Sequence, residues 1–332
     1  MTDRRAGRSP ARPGRVAAFI LARLLTLLPV LWGVSVVVFL LIHLIPGNAL
    51  QMFLGTQVDM TPAQMEELRR LFGLNKPLPL QYADWIGRVL QGDFGVSLRT
   101  SRPVLPDILA RLPVSVELTV LALVFALAVA LPIGIASAIR RGTAEDAAIR
   151  VGGLIGLSIP NFWLATMLLL FLPGRILPIA SIGVYVRFFA DPAGNLTVLA
   201  LPAFSLGVVL TAVIMRFVRS SMLEVLGQDY VRTARAKGLR ERLVITRHAL
   251  RNALIPVITV VGFQAGYLLG GTVVIEEVFA LPGMGRLALN AIAQRDYPVV
   301  QGVVLVIAML FVLTNIVVDV LYAYVDPRVR YE

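Results

Sequence analysis

Apolar residues along this chain fall into six long blocks, near 18–45, 114–139, 151–172, 196–218, 254–280 and 299–325. Each is long enough to cross ~30 Å of hydrocarbon at about 1.5 Å per residue, so the pattern predicts six membrane-spanning helices and an all-α integral membrane protein. The first block follows a basic leader, residues 1–17, with Arg4, Arg5, Arg8, Arg12 and Arg15. A cleaved signal peptide would have an apolar core about half as long and a small-residue cleavage site. HLIPGNAL follows instead, so the block is expected to stay as the first span. Pro132, Pro160 and Pro202 fall inside blocks, where kinks are tolerable because neighbours re-satisfy the freed carbonyls.

Between the first two blocks lies a long polar stretch, 46–112, expected to form a small extracytoplasmic helical subdomain. Thr61-Pro62-Ala63-Gln64 is a capping box with Pro at the first helical position, and Gly73 closes that helix. Further helices are expected near 79–91 and 104–112. The string GDFGVSLR, 92–99, reads as a Gly-Asp turn. The blocks from 113 to 325 form a five-helix core, and 326–332 a cytoplasmic tail.

Charge orients the chain. Of its 31 Lys and Arg, 20 fall in the leader, the tail, the loops at 140–150 and 219–253, or the adjoining span ends. Loops rich in Lys and Arg stay cytoplasmic, so both termini are expected inside. The +11 net charge therefore points to anionic lipid near the leader rather than to nucleic acid. With 57% hydrophobic and 15% charged residues, the chain is too apolar for a soluble domain of 332 residues. It has no cysteine, hence no disulfide and no thiol chemistry.

Catalytic constellations are missing. A P-loop requires Gly-Lys followed by Ser or Thr, but Lys76 precedes Pro77 and Lys237 precedes Gly238. No serine sits in Gly-x-Ser-x-Gly. The two histidines, His43 and His248, belong to opposite sides of the membrane and are read as an interfacial and a helix-surface residue rather than a metal site. No cofactor or metal is expected on this chain.

Within the blocks, Glu276 and Glu277 lie near the outer end of the fifth, Gln264 inside it, and Asp319 in the sixth with Asn315 one turn earlier. Charge inside a span is a functional hypothesis by default and would suit an ion-coupled carrier. These acids lie close to span ends, which favours structural or pore-mouth roles. Gly262, Gly266 and Gly270, four apart, clear one helix face for close packing against another span, the pore or a partner subunit. Leu268 lies about 160° from Gly266 and is expected to tolerate truncation better than Gly266 tolerates Leu.

The remaining signal is DYVRTARAKGLRERLVITRHALRNALIP, 229–256, a basic, helix-prone island between two apolar blocks. It resembles the cytoplasmic EAA loop of ABC-transporter permeases, in the variant of the dipeptide and oligopeptide importers. Arg232 to Gly238 occupies the place of E-A-A-x-x-x-G. Ala234 and Gly238 match, while Arg232 and Thr233 replace the Glu and the first Ala, and the distance from Gly238 to Pro256 is longer than in the general pattern. LIPGNAL (44–50), GDFGVSLR, RLPVSVELTVLAL (111–123), SIPNFWLA (158–165), VFALPGMGRL (278–287) and DVLYAYVDPRVRY (319–331) also resemble that family, in order, and the long segment after the first span resembles its B-type subunit.

The resemblance implies a permease subunit of an ATP-driven, binding-protein-dependent importer in the bacterial inner membrane. A C-type permease would complete the pore, two ATPase subunits would hold ATP and Mg, and an extracytoplasmic binding protein would deliver a dipeptide or oligopeptide. Other family substrates are nickel chelates, glutathione and sugars. The loop helix would dock on the ATPase through Tyr230, Val231, Ala234 and Ala236, Lys237, Gly238 and Leu239, ended by Gly238, with Arg232, Arg235 and Lys237 paired or solvated and Thr233 between them. An ion-coupled secondary carrier is the alternative.

Overall fold

The computed structural model describes residues 13–44, 64, 67, 75–172 and 183–325. Most of the leader, the tail, LIPGNAL beyond Leu44 and the expected Thr61–Gly73 helix, apart from Gln64 and Glu67, lie outside the described residues. Among the described residues every regular element is a helix. In chain order they are α1 Pro13–Leu44, α2 Leu78–Leu90, α3 Val104–Ile139, α4 Ala144–Ser158, α5 Asn161–Phe171, α6 Pro192–Leu226, α7 Asp229–Ala236, α8 Glu241–Gly271, α9 Val273–Val278, α10 Met284–Ala293 and α11 Tyr297–Val325. Four of them, α3, α6, α8 and α11, are each long and apolar enough to cross a membrane. α4 and α5 together make a fifth candidate, bent by 90°. In α1 the apolar stretch Leu25–Leu41 stands out.

Several boundaries differ from the hydropathy blocks, for local reasons. The expected outer helix at 104–112 is the first part of α3, because Pro113 is accommodated inside the helix instead of ending it. Pro132 and Pro202 likewise lie within unbroken helices. Pro160 does not: α4 ends at Ser158, and α5 starts afresh after Pro160. The expected 219–253 loop shrinks at both ends, since α6 continues to Leu226 and α8 begins at Glu241. The fifth block stops at Gly271, and its last residues form the separate α9 and the turn after it.

The core is built on close backbone approach between α3 and α6. Ala122, Ala126 and Ala130, four apart on α3, are fully buried. A Cβ on Gly207 of α6 would lie 2.4 Å from Phe125 and 3.1 Å from the Ala122 carbonyl oxygen. One on Gly134 of α3 would lie 2.9 Å from the Met215 carbonyl oxygen and from Val218. At the α3–α4 end this pair is clipped by a buried carboxylate. Asp146 accepts two hydrogen bonds from Arg219 of α6, at 2.9 and 3.0 Å, and one from Ser137 Oγ of α3 at 2.6 Å. Its own helix is capped by Thr143, whose Oγ1 accepts from the Asp146 N–H.

The glycine face of α8 packs against α11 of the same chain. A Cβ on Gly262 would meet Val318 at 2.1 Å, one on Gly266 would meet Phe311 at 2.8 Å, and one on Gly270 would make only ordinary contact with Ile307 at 3.9 Å. Leu268, on the other side of α8, is buried in the main core with Val257 and Ala253. It is therefore a packing residue, and its truncation is not the mild change its wheel position suggests. Gly262→Ala and Gly266→Leu are expected to overpack this contact at a cost of about 1–3 kcal/mol. Gly270→Ala should be close to neutral. Melting temperatures of the purified variants in detergent would check this order, and equal melting of all three would remove the close-contact account.

Candidate functional site

The chain between α6 and α8 turns at Gly227, runs through α7 and leaves at Gly238. α7 ends because Gly238 takes a left-handed φ of 75°, with its N–H on the Arg235 carbonyl and the Leu239 N–H returning to Ala234. Val231 and Ala234 are buried against Val244 of α8, with Val225, Leu226 and Leu239 packed around them. These two residues were expected on an outward docking surface. They are the residues that fasten α7 to its own protein, because a short amphipathic helix must bury its apolar stripe somewhere. The exposed surface of α7 is its other face: Tyr230, Arg232, Thr233, Arg235, Ala236, Lys237 and Gly238 are exposed, and Leu239 is half-buried.

Polar contacts hold the same helix in place. The Tyr230 hydroxyl oxygen accepts from Asn252 Nδ2 at 2.8 Å. Arg235 grips Glu241 through two hydrogen bonds, 3.1 and 2.7 Å. Arg232 lies 3.5 Å from Asp229. Lys237 follows the helix as its C-cap residue. Just beyond, Val244–Ala249 forms one π-helical stretch at the base of α8, an irregularity that tends to mark functional positions.

A second constellation gathers at the other end of the bundle. Glu276 is fully buried and accepts from Ser115 Oγ of α3 at 2.6 Å, Thr272 Oγ1 at 2.8 Å and the Arg286 backbone N–H at 2.9 Å. Ser115 Oγ in turn accepts from the Met284 N–H at 2.9 Å. The carboxylate thus sits at the N-terminus of α10, where free N–H groups and the helix dipole favour negative charge. A Cβ on Gly283 would run into this carboxylate at 2.3 Å, and one on Gly285 would run into Val273 at 2.6 Å and meet the carboxylate at 3.0 Å. Neighbouring Glu277 is exposed and lies 3.3 Å from Arg286, whose guanidinium also donates to the Ala280 carbonyl at 2.7 Å.

Two further acids work in the same way. Asp296, after α10, accepts from Ser97 Oγ and from the Leu98 N–H at 3.1 Å, and so docks the GDFGVSLR turn. Inside that turn Asp93 accepts from the Gly95 N–H at 2.9 Å. Glu117 accepts from the Tyr185 hydroxyl at 2.9 Å and from Asn195 Nδ2 at 2.8 Å. Burial, and then the bond to Glu117, push the Tyr185 phenol up to about 12.

Sequence reasoning placed Glu276 near a span end but missed Ser115, Ser97, Asp296 and Asp146. Each lies far along the chain from its partner, and the legible trace was the pair of glycines around Met284. Gln264 is half-buried on α8, near Gly262 and Gly266 but not in their contact with α11. His43 bonds Gln81 and Phe39, whereas the His248 carbonyl receives Asn252, so the histidines have separate surroundings.

Comparison with known proteins assigns this helical bundle to a family. The profile described as "Binding-protein-dependent transport system inner membrane component" matches residues 130–331, and its N-terminal companion matches 16–119. The chain is similar to the dipeptide transport system permease protein DppB of Alkalihalophilus pseudofirmus, 44% identical over 95% of this chain and 99% of the relative. DppB of Escherichia coli K12 is 39% identical over the same shares, and the glutathione transport system permease protein GsiC of Salmonella typhimurium 41%. In fold it resembles a solved inward-facing structure of the MetNI methionine ABC transporter, at 17% identity and TM-score 0.56, covering 68% of this chain and 100% of that one. The chain belongs to the binding-protein-dependent transport system inner membrane component family. It is an integral inner-membrane permease subunit of an ABC transporter.

Removing the Glu276 carboxylate leaves two buried hydroxyls and a helix N-terminus unmatched, and each unpaired buried group costs about 1–3 kcal/mol. Glu276→Ala is therefore expected to lower the melting temperature and expose the α9–α10 segment to protease. Glu277→Ala, on an exposed pair, should do neither. Thermal denaturation with limited proteolysis would show this contrast.

Proposed function

We propose that this chain is the B-type membrane subunit of an importer of short peptides, forming half of the translocation path beside a C-type permease. Two ATPase subunits would bind ATP and Mg below it, and a binding protein would deliver cargo from outside. The cargo assignment is supported by the relatives, since dipeptide and glutathione permeases share short peptides as the chemistry in their names. In this reading the chain has six spans, with α1 and the α4–α5 pair each counted as one. Both termini and the α7 loop lie in the cytoplasm, and the 46–112 segment lies outside, as the Arg distribution favours. The competing ion-coupled carrier finds no support at Glu276, which is saturated by neutral donors inside the protein and has no place for a travelling ion.

The observation that carries the mechanical role is the mounting of α7. Its apolar stripe is locked to α6 and α8, while its basic face is exposed, so a push on that face would be passed to two spanning helices together. Gating would then follow the opening and closing of the ATPases.

Arg232→Glu with Lys237→Glu should reduce ATPase co-purification and binding-protein-stimulated hydrolysis while leaving permease melting unchanged. Ala234→Glu should instead lower the melting temperature, because it forces a carboxylate into the contact with Val244. If the double charge variant bound and stimulated the ATPase normally, α7 would not be the transmission element. Topology is checked with single cysteines on this cysteine-free chain. Ser97 is buried on Asp296 and unsuitable. A cysteine at exposed Thr100 should label with an impermeant reagent in intact cells, and one at Ala236 only after lysis. The reverse would invert the topology. Stimulation of ATP hydrolysis by the loaded binding protein, compared across dipeptides, longer peptides, glutathione, sugars and nickel chelates, would identify the cargo.

A further inference from the structure

α2 was expected to belong to an extracytoplasmic subdomain, yet it has the surroundings of a membrane-seated helix. None of its residues is buried. It packs beside the end of α1 through an aromatic cluster. Phe39 of α1 lies 5.5 Å from Tyr82 and 5.7 Å from Trp85, ring centre to ring centre, and 4.5 Å from His43. The Tyr82 hydroxyl is 2.7 Å from Ser35 Oγ, and His43 Nε2 is 3.3 Å from Gln81 Oε1.

These contacts fix a depth. The apolar block of α1 runs to about residue 45, so His43, near its outer end, marks the polar edge of the span. Ser35 is two turns further in, roughly 12 Å below His43 at the rise of an α-helix. Gln81 is therefore level with the membrane edge, while Tyr82 reaches down along α1 into the hydrocarbon side. Tyr and Trp at such a boundary are the residues expected at the headgroup level.

The helical wheel agrees. At 100° per residue, the three polar side chains Gln81, Asp84 and Arg88 share an arc of about 60°. Leu78, Tyr82, Trp85 and Val89 face α1. The flank between is apolar: Pro79, Ala83 and Leu90 are exposed, Leu90 by 81%, and Ile86 is half-buried. α1 also leaves the apolar Val37, Leu40 and Leu41 exposed. A water-soluble subdomain would not leave an apolar flank of a short helix open, whereas a helix lying in the interface requires it.

We propose that α2 is an interfacial helix seated in the outer leaflet, with its Pro79–Ala83–Ile86–Leu90 flank in lipid and its Asp84–Arg88 edge in water. It would brace α1 at the height of the headgroups, and the occupant of its open flank is the bilayer itself. This rests on α1 being a span and is independent of the cargo, so its failure and a failed transport assignment are separable.

The test uses spin labels at single cysteines in the full-length chain, purified with its co-expressed transporter subunits in nanodiscs of phosphatidylethanolamine and phosphatidylglycerol. Labels at Ala83 and Leu90 should collide with oxygen several-fold more readily than with a water-soluble nickel chelate. Labels at Asp84 and Arg88 should show the reverse preference. Equal access of the nickel chelate at all four positions would place α2 in water and overturn the proposal. Shielding of Ala83 and Leu90 from both quenchers would mean that a protein partner, not lipid, covers the flank, and would overturn it as well.

Discussion

In hydrocarbon no water is displaced when one apolar helix meets another, so adhesion depends on how closely backbones can approach. That constraint organises this protein. Gly207 of α6 lies against Ala122 and Phe125 of α3, Gly134 of α3 against Met215 and Val218 of α6, and two glycines on α8 receive Val318 and Phe311 from α11. At each point a single methyl group would collide. The bundle is fastened by what its side chains lack, and the remaining helices are placed by reference to these two pairs.

Polar groups then fix the ends. At one end Asp146 joins α3, α4 and α6 through a bidentate arginine. At the other, Glu276, Asp296 and Glu117 are held by hydroxyls, an amide and backbone N–H groups. Buried charge without donors would be costly, so each carboxylate comes with two or three. Glu276 also starts α10 and thereby sets the whole α9–α10 excursion against α3. α7 stands apart from both sets: it is attached by apolar contact and two polar ties, leaving a basic face turned away from the bundle.

Much of this was legible in the order of residues. Apolar block length gave the long helices, arginine asymmetry suggested their orientation, and the spacing of Gly262, Gly266 and Gly270 announced a close contact. What could not be read was which partner filled it, because packing inside one chain and between chains obeys the same small-residue rule. Hydropathy blurred boundaries wherever a helix left the hydrocarbon without ending, as at Leu226 and Glu241. Pro113 and Pro160 show why proline is an ambiguous sign, since one is absorbed within α3 and the other divides α4 from α5. Val231 and Ala234 were misplaced because a matched motif says which residues matter but not which side of the helix they occupy. The carboxylate constellations join residues from 115 to 284 or from 97 to 296, separations at which no local pattern speaks.

The neutral fastening of Glu276 and Asp296 has a consequence for where such a protein can work. Exposed ion pairs weaken as salt rises, whereas a buried carboxylate held by hydroxyls and backbone groups is largely out of reach of dissolved ions. In the proposed orientation, the outer end of the bundle is therefore fastened by bonds that dissolved salt screens little. Salt is the variable a single cell cannot regulate on that side of its membrane. In the same orientation the arginine clip at Asp146 lies at the inner end, where the cell sets the ionic strength itself.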